Sequence, residues 1–402
     1  MITSGLSVAV VGCGARSVIG LHVAEVRPGA RVTAVVDTEP EGRRRGAEIF
    51  AGAQVFESVA QLVAAGGVDA AIVSTPDHAH ADIAVELLRN GIAVYLEKPL
   101  ATTLEDADRV LHAAAETGTK LYVGHNFRHS GVVRALRGVV ERGEIGEVKA
   151  VWVRHFVGNG GDYYFKDWHA ERAKTGTLLL QKASHDIDVV HHLAGGYTRQ
   201  VVGMGGLVLF GGIQDRHERP GQTMPDWFSM DNWPPGSHTG LNPVVDVEDV
   251  SMMLMQLGNG VFASYQQCHF TPDYWRNYTV IGTEGRVENF GDTAGGVVRV
   301  WNRRHLWQAE GDAEYPIEGV SEGHEDADRL TMAEFLEHVV SGAPTLVSPV
   351  AAREAVAAGA LAAESLRNNS VPHLVPELPT NVLHHFRSGA GNEAPATERA
   401  EQ

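Results

Sequence analysis

LSVAVVGCGARS, residues 6–17, is an apolar run that ends in a glycine turn. A dinucleotide-binding turn uses its first glycine for a tight bend and its second to let the backbone approach a pyrophosphate. Its third position serves close helix–strand packing. Gly12 and Gly14 occupy the first two places and Ser17 the third. Ala15 and Arg16 open the helix that follows and are expected beside the same phosphates. Glycine is the commonest turn residue, so G-x-G alone says little; its place between a strand and a helix says more. The next apolar run, RVTAVV (31–36), ends in Asp37. A carboxylate there can accept hydrogen bonds from ribose hydroxyls and repels a 2′-phosphate, which favours NAD over NADP. Arg43, Arg44 and Arg45 pull the other way, although such a run is more often a solvated helix face.

Working outward, VDAAIV (68–73), IAVYL (92–96) and KLYVG (120–124) extend the series of strands. Helical patterns such as HADIAVELLRNG, stopping at Gly91, lie between them. Alternating strands and helices predict a parallel sheet, here a Rossmann-like domain over 1–128. A chain of 402 residues exceeds one small core, so a second domain is expected. The formal charge of −17 opposes binding to nucleic acid or an anionic membrane. Two cysteines, Cys13 and Cys268, build no disulfide framework and fit a reducing cytoplasm. No apolar run approaches the roughly 20 residues of a membrane span. The opening segment lacks a basic region and reads as a strand, not a signal peptide.

STPDHAH (74–80) leaves the strand VDAAIV through Thr75 and Pro76 at the carboxyl edge of the sheet, where open α/β folds bind ligands. His78 reads as a helix-capping, solvated residue; for His80 a solvated place and a cofactor contact are both open. Glu97-Lys98-Pro99 reaches the same edge one strand later. A lysine there can donate to a substrate hydroxyl and stabilise the alkoxide as hydride leaves, with proline limiting the backbone. Taken alone, the tripeptide reads equally as a solvated loop. The succession GCGARS, STPDHAHADIAVELLRNGIAVYLEKPLATTLEDADRVL and LYVGHNFR closely resembles the Gfo/Idh/MocA oxidoreductases. The resemblance implies that Lys98 is a catalytic-site lysine. It also implies that Gly12, Gly14, Asp37, Thr75, Pro76, Glu97 and Asn126 contact the cofactor.

After residue 129 longer strands appear, VKAVWVRHF (148–156), VSMMLMQL (250–257) and VFASYQQCHF (261–270) among them. They predict a mostly antiparallel sheet with its own core over 129–370. VIGTEGRVENFG reads as strand, turn, strand, and 326–341 and 350–367 read as helices. The remainder, 371–402, is a C-terminal extension whose small, polar end is expected to be disordered. TGTLLLQKASHDIDVVHHLAGG (175–196) resembles the family's Asp-x-x-x-His-x-x-Asp helix, with His185 matching the histidine. Gln181 stands in the acid's place; it can orient a hydroxyl but cannot take its proton. His185 is then the expected general base, with an unperturbed pKa of about 6.5. Asp186 or Asp188 would orient it, and Lys182 is either a stand-in for the lost acid or a solvated helix lysine. His191 and His192 invite a metal reading, but no ligand spacing completes it, and no metal is expected. Trp168 resembles a tryptophan beside the cofactor, with Arg172 a candidate for the arginine that usually follows. The segment 161–169, with Tyr163, suits stacking on sugar rings and reads equally as an aromatic loop that packs under the domain. Arg128, Tyr163, Lys182 and His185 complete, with Lys98, the expected substrate contacts. A long proline-rich insertion, 215–243, carries Trp227 and Trp233; loops of this length are lids, subunit contacts or disordered.

The expectation is a Rossmann-like domain followed by an α/β domain on a large, open, mostly antiparallel sheet. The expected activity is NAD-dependent oxidation of a secondary hydroxyl on a sugar, glycoside or cyclitol. The family resemblance further implies a homodimer or homotetramer. Two alternatives stand beside it: a glycoside hydrolase working by transient oxidation with retained NAD, and a non-catalytic NAD- and sugar-binding regulator.

Overall fold

The structure, a computed structural model, describes residues 5–319 and 325–387. The polar end expected to be disordered, 388–402, lies outside the described residues.

Six parallel strands form the first sheet: β1 (Ser7–Val11), β2 (Arg31–Val36), β3 (Gln54–Phe56), β4 (Ala70–Val73), β5 (Ala93–Leu96) and β6 (Leu121–Val123). Their order is β3-β2-β1-β4-β5-β6, so the connection reverses direction between β1 and β4. At that switch point the carboxyl ends of neighbouring strands part and leave a crevice. Val8, Val10, Ile72 and Val94 are fully buried because helices cover both faces of the sheet. Each such side chain contributes roughly 1.5–3 kcal/mol by leaving water. β3 escapes the sequence pattern, since it has three residues and two of them are exposed.

The second sheet has nine strands: β7 (Val148–Val157), β8 (Thr198–Gly206), β9 (Val250–Leu257), β10 (Phe262–Cys268), β11 (Tyr274–Gly282), β12 (Arg286–Phe290), β13 (Val297–Trp301), β14 (Ala313–Pro316) and β15 (His373–Leu374). The order is β14-β13-β12-β11-β7-β10-β9-β8-β15. All neighbours are antiparallel except β7 and β10. Alternate residues point to one buried face, where Val153, Met253, Tyr265 and Tyr278 meet the helices Ser184–Ala194 and Pro349–Arg367. The other face carries exposed Trp152, Met252, Leu254 and Phe262.

Two late helices tie the sheets together. Met332, Phe335 and Leu336, on Glu325–Ser341, pack under Tyr95 and Tyr122 of the first sheet. Along Pro349–Arg367, Val350, Ala352 and Val356 join the core of the first sheet, while Ala355, Ala358 and Ala362 join that of the second. Among the described residues no helix is long and apolar enough to cross a membrane.

Candidate active site

The crevice at the carboxyl edge of the first sheet opens into a cavity of about 1450 Å3. Pockets for one small ligand run to roughly 300–1,000 Å3, so this one has room for more than one molecule. One end is built by the turn after β1. Gly12 has a φ of 87°, and a Cβ on it would lie 2.7 Å from the Thr75 amide nitrogen, so only glycine fits. A Cβ on Gly14 would meet nothing within 4 Å, which leaves an open approach to the first turn of the following helix, Ala15 onward. Ser17, in the place of a third glycine, turns its hydroxyl back onto the Gly14 carbonyl at 2.7 Å. Asp37 accepts the Cys13 amide at 2.8 Å and the Glu39 amide at 2.9 Å, which holds its carboxylate at the edge of the cavity.

The three arginines are distributed by the fold. Arg43 donates to the Asp37 and Thr38 carbonyls, and Arg44 pairs with Glu41 and Glu48 on the solvent side. Arg45 donates to the Cys13 carbonyl at 2.9 Å.

The donor set along the cavity suits a dinucleotide: a glycine turn open to the backbone, a carboxylate at the end of β2 and polar atoms awaiting partners. Thr75 Oγ1 and Asn126 Oδ1 are buried and have no hydrogen-bond partner. His80 joins two of the turns, with Nδ1 2.7 Å from the Pro99 carbonyl oxygen and Nε2 3.0 Å from that of Thr75. It is buried, not solvated. Arg16 reaches Glu97 at 2.6 Å and Asp328 at 2.7 Å, and Asn126 donates to Asp328 at 2.7 Å. This network fixes the loops after β1, β5 and β6 against the helix Glu325–Ser341. Pattern reading missed Asp328, because an acid in the first turns of a helix has an ordinary local role.

Lys98 follows β5, with Pro99 joined to it by a cis peptide bond. Its Nζ donates to the Gln181 main-chain carbonyl at 2.9 Å, so the second domain holds an ammonium offered by the first. Burial lowers its pKa from 10.5 to about 8; Asp77 and Glu97 work against the shift, while Lys182 and Arg16 add to it. Gln181, Lys182 and His185 line the same cavity, contributed by Leu178–Gln181 and the start of Ser184–Ala194. Gln181 Oε1 is buried without a partner, an acceptor placed for a hydroxyl. His185 is buried, its ring centroid 5.0 Å from Phe127 and 6.3 Å from His125.

Several expected placements change. Asp188 is engaged by Arg128, whose Nε and Nη2 each lie 2.8 Å from it, while Nη1 donates to the Leu346 carbonyl. Arg128 is 2% exposed and does not line the cavity; a buried guanidinium needs this carboxylate, and the pairing withdraws it from a substrate role. Asp186 is likewise committed to His155 at 3.0 Å, Tyr278 and Arg276. Burial would raise its pKa, but Arg276 and His155 outweigh that and hold it well below the usual range. Lys182 is no solvated lysine: it is 7% exposed and reaches the Tyr274 hydroxyl at 3.0 Å. His191 Nε2 lies 2.8 Å from the Thr198 hydroxyl, a packing role. Among the described residues no cluster of three or more His, Cys, Asp or Glu is arranged for a metal ion. Arg172 is held by Asp246 and does not line the cavity, whereas Trp168 and Tyr163 do. The Trp168 ring stacks on His169 at 3.7 Å between centroids.

The insertion lies over the cavity. Gly221 packs on Glu41 beside the Asp37 end, and Trp227, Phe228 and Met230 line the end near Tyr163. The clasp is Asp162, 2% exposed. Its carbonyl accepts Trp227 Nε1 at 2.8 Å, and its carboxylate accepts Asn232 and pairs with Lys166 at 2.6 Å.

Comparison with known proteins matches residues 6–125 to an oxidoreductase family's NAD-binding Rossmann fold and residues 137–373 to that family's C-terminal alpha/beta domain. An inositol 2-dehydrogenase from Rubrobacter xylanophilus is 35% identical over 192 residues, 46% of this chain and 50% of the relative. A 2,7-anhydro-N-acetylneuraminate hydratase from Mediterraneibacter gnavus is 30% identical over 243 residues, 56% of this chain and 62% of the relative. The chain thus spans less than two-thirds of the length of these curated relatives. Among solved structures, levoglucosan dehydrogenase in complex with NADH and levoglucosan superposes with a TM-score of 0.74 at 18% identity, over 93% of this chain and 100% of that one. At this identity the likeness is one of fold.

Proposed function

The chain belongs to the Gfo/Idh/MocA oxidoreductase family, and we propose that it is an NAD-dependent dehydrogenase acting on a secondary hydroxyl of a sugar, glycoside or cyclitol. The observation that carries this reading is the Lys98 ammonium, pinned by the Gln181 carbonyl at 2.9 Å in the cavity that also holds His185 and the glycine turn. Gly12, Gly14, Ala15, Arg16, Asp37, Thr75, Pro76, His80, Glu97, Asn126 and Trp168 form or brace the cofactor side. Asp37 favours NAD, since Arg43 and Arg44 are engaged by carbonyls and carboxylates and Arg45, at the cavity edge, is turned by its Nε onto the Cys13 carbonyl. When bound, the nicotinamide supplies the hydride acceptor.

Lys98 donates to the substrate hydroxyl and stabilises negative charge on its oxygen as the C–H bond breaks. His185 takes the hydroxyl proton, and Gln181 orients the substrate by accepting from a neighbouring hydroxyl. Arrangement of these groups before reaction removes much of the cost of bringing them together in the transition state.

A second reading is favoured by the insertion over the cavity and by glutamine in place of an acid: transient oxidation with retained NAD, leading to cleavage of a glycoside. Both readings meet in one assay. Protein at high concentration is mixed with NAD and a panel of sugars, glycosides and inositols, beside Lys98→Ala. An NADH absorption band with one substrate class, absent in the variant, supports the dehydrogenase. Sugar release without NADH accumulation supports the second reading. Silence in both, with NAD bound, points to a regulator and overturns the proposal.

A further inference from the structure

At the substrate end of the cavity stand two buried cations that the protein satisfies only in part: one has no carboxylate within ion-pairing distance among the described residues, and the other keeps a guanidinium nitrogen without a hydrogen bond. Lys182, 7% exposed, reaches only phenols: the Tyr274 hydroxyl at 3.0 Å and the Tyr164 ring, whose centroid is 5.5 Å away. Among the described residues no carboxylate lies within ion-pairing distance of it. Arg276, 2% exposed, stands 3.2 Å from Asp186 and 3.9 Å from Asp292. Asp186 is shared with His155 and Tyr278, and Arg276 Nη2 is buried with no hydrogen-bond partner. Both cations flank one ring, at 5.2 Å and 5.6 Å from the Tyr274 centroid, and all three residues line the cavity.

We propose that Lys182 and Arg276 form a carboxylate-binding subsite, so that the substrate is a sugar acid or its glycoside rather than a neutral sugar. The inference rests on the dehydrogenase reading and specifies its substrate class. An unpartnered guanidinium nitrogen beside an ammonium matches the planar, singly charged carboxylate. Asp292, close to Arg276, opposes the second charge of a phosphate. The phenol between the cations reports the same field. Burial alone would raise the Tyr274 pKa, but Arg276 and Lys182 bring it below its usual value. Burial would lower the Lys182 pKa, but the ionised forms of Tyr164 and Tyr274 outweigh it and raise the value above its usual one.

The test is calorimetric titration of the NADH-loaded protein. D-Glucuronate, D-galacturonate and D-gluconate are compared with D-glucose, D-galactose, D-glucitol and D-glucose 6-phosphate. At least one acid should bind about tenfold or more tighter than its neutral counterpart, the effect of one charge-assisted contact. Added salt should erode that margin. Lys182→Met should abolish it, and Lys182→Arg should keep most of it, which separates recognition of charge from loss of packing. Binding of carboxylates to the protein should also move the tyrosinate absorbance of Tyr274 to higher pH, with Tyr274→Phe as the blank. Equal or better binding of neutral sugars, absence of binding by every acid, preference for the phosphate, or an acid margin that survives Lys182→Met would each overturn the subsite. Hydride transfer from a neutral sugar without any acid preference leaves the dehydrogenase reading and removes this one. Tight acid binding with no NADH from any acid does the reverse.

Discussion

At Lys98 the fold keeps an ammonium where burial disfavours its charge, with the pKa lowered from 10.5 to about 8. The folded state then binds fewer protons than the unfolded one between those values, so this group's contribution to stability rises with pH across that window. At pH 7 the charged form is a cost, and Lys98→Met should unfold at higher denaturant concentration, by roughly 1 kcal/mol. The gain should shrink as the pH rises toward 10, while hydride transfer is lost throughout. Denaturant titrations of both proteins at pH 7 and 10 measure it; a variant less stable at pH 7 would contradict the assignment. Lys98 and His185 were singled out in the chain because ordered neighbours marked them, and the fold brings both to one cavity. Tyr274 and Arg276 were not: they alternate along a strand, and nothing local says which face of that strand meets the cavity. Asp186 and Asp188 were misjudged for the same reason, since their true partners, His155, Arg276 and Arg128, come from distant segments.

Among the elements, the insertion between β8 and β9 is the one that pattern reading left open among three roles. Its packing resolves its place: it touches Glu41 at one end of the cofactor cleft and is clasped to Asp162 at the other. A segment that lies along a cleft and is clasped at one end can slow the departure of a long ligand. The double change Trp227→Ala, Asn232→Ala removes the side-chain hydrogen bonds of both residues to Asp162 and should speed NADH dissociation by about tenfold or more. Stopped-flow displacement with excess NAD reads this directly; an unchanged rate would mean that the insertion shapes only the substrate end.

For the whole molecule, the outer face of the second sheet exposes a row of large apolar side chains. Register brings Leu254, Ser264 and Trp152 into one row and Met204, Met252, Gln266 and Arg154 into the next. Leu254 is 63% exposed, Phe262 59% and Trp152 54%, a clustering that single chains rarely leave to water. Leu254→Glu should therefore shift the protein toward a monomer in light scattering while leaving its circular dichroism unchanged. A wild-type monomer would refute the dimer or tetramer expected for this face.

The sequence by itself determined the class of the fold, and it put the expected cofactor contacts at one edge of the first sheet. A glycine turn, a strand-end acid and Glu-Lys-Pro act through backbone geometry that neighbours in the chain specify. Tertiary structure alone decided the rest. It packed Glu325–Ser341 beneath the first sheet, withdrew Arg128 into a pair with Asp188, and buried Lys182 beside Tyr274. Charges separated by many residues find one another only when the core forms. Their partners are set by which groups burial leaves without water, a property of the folded whole rather than of any stretch of chain.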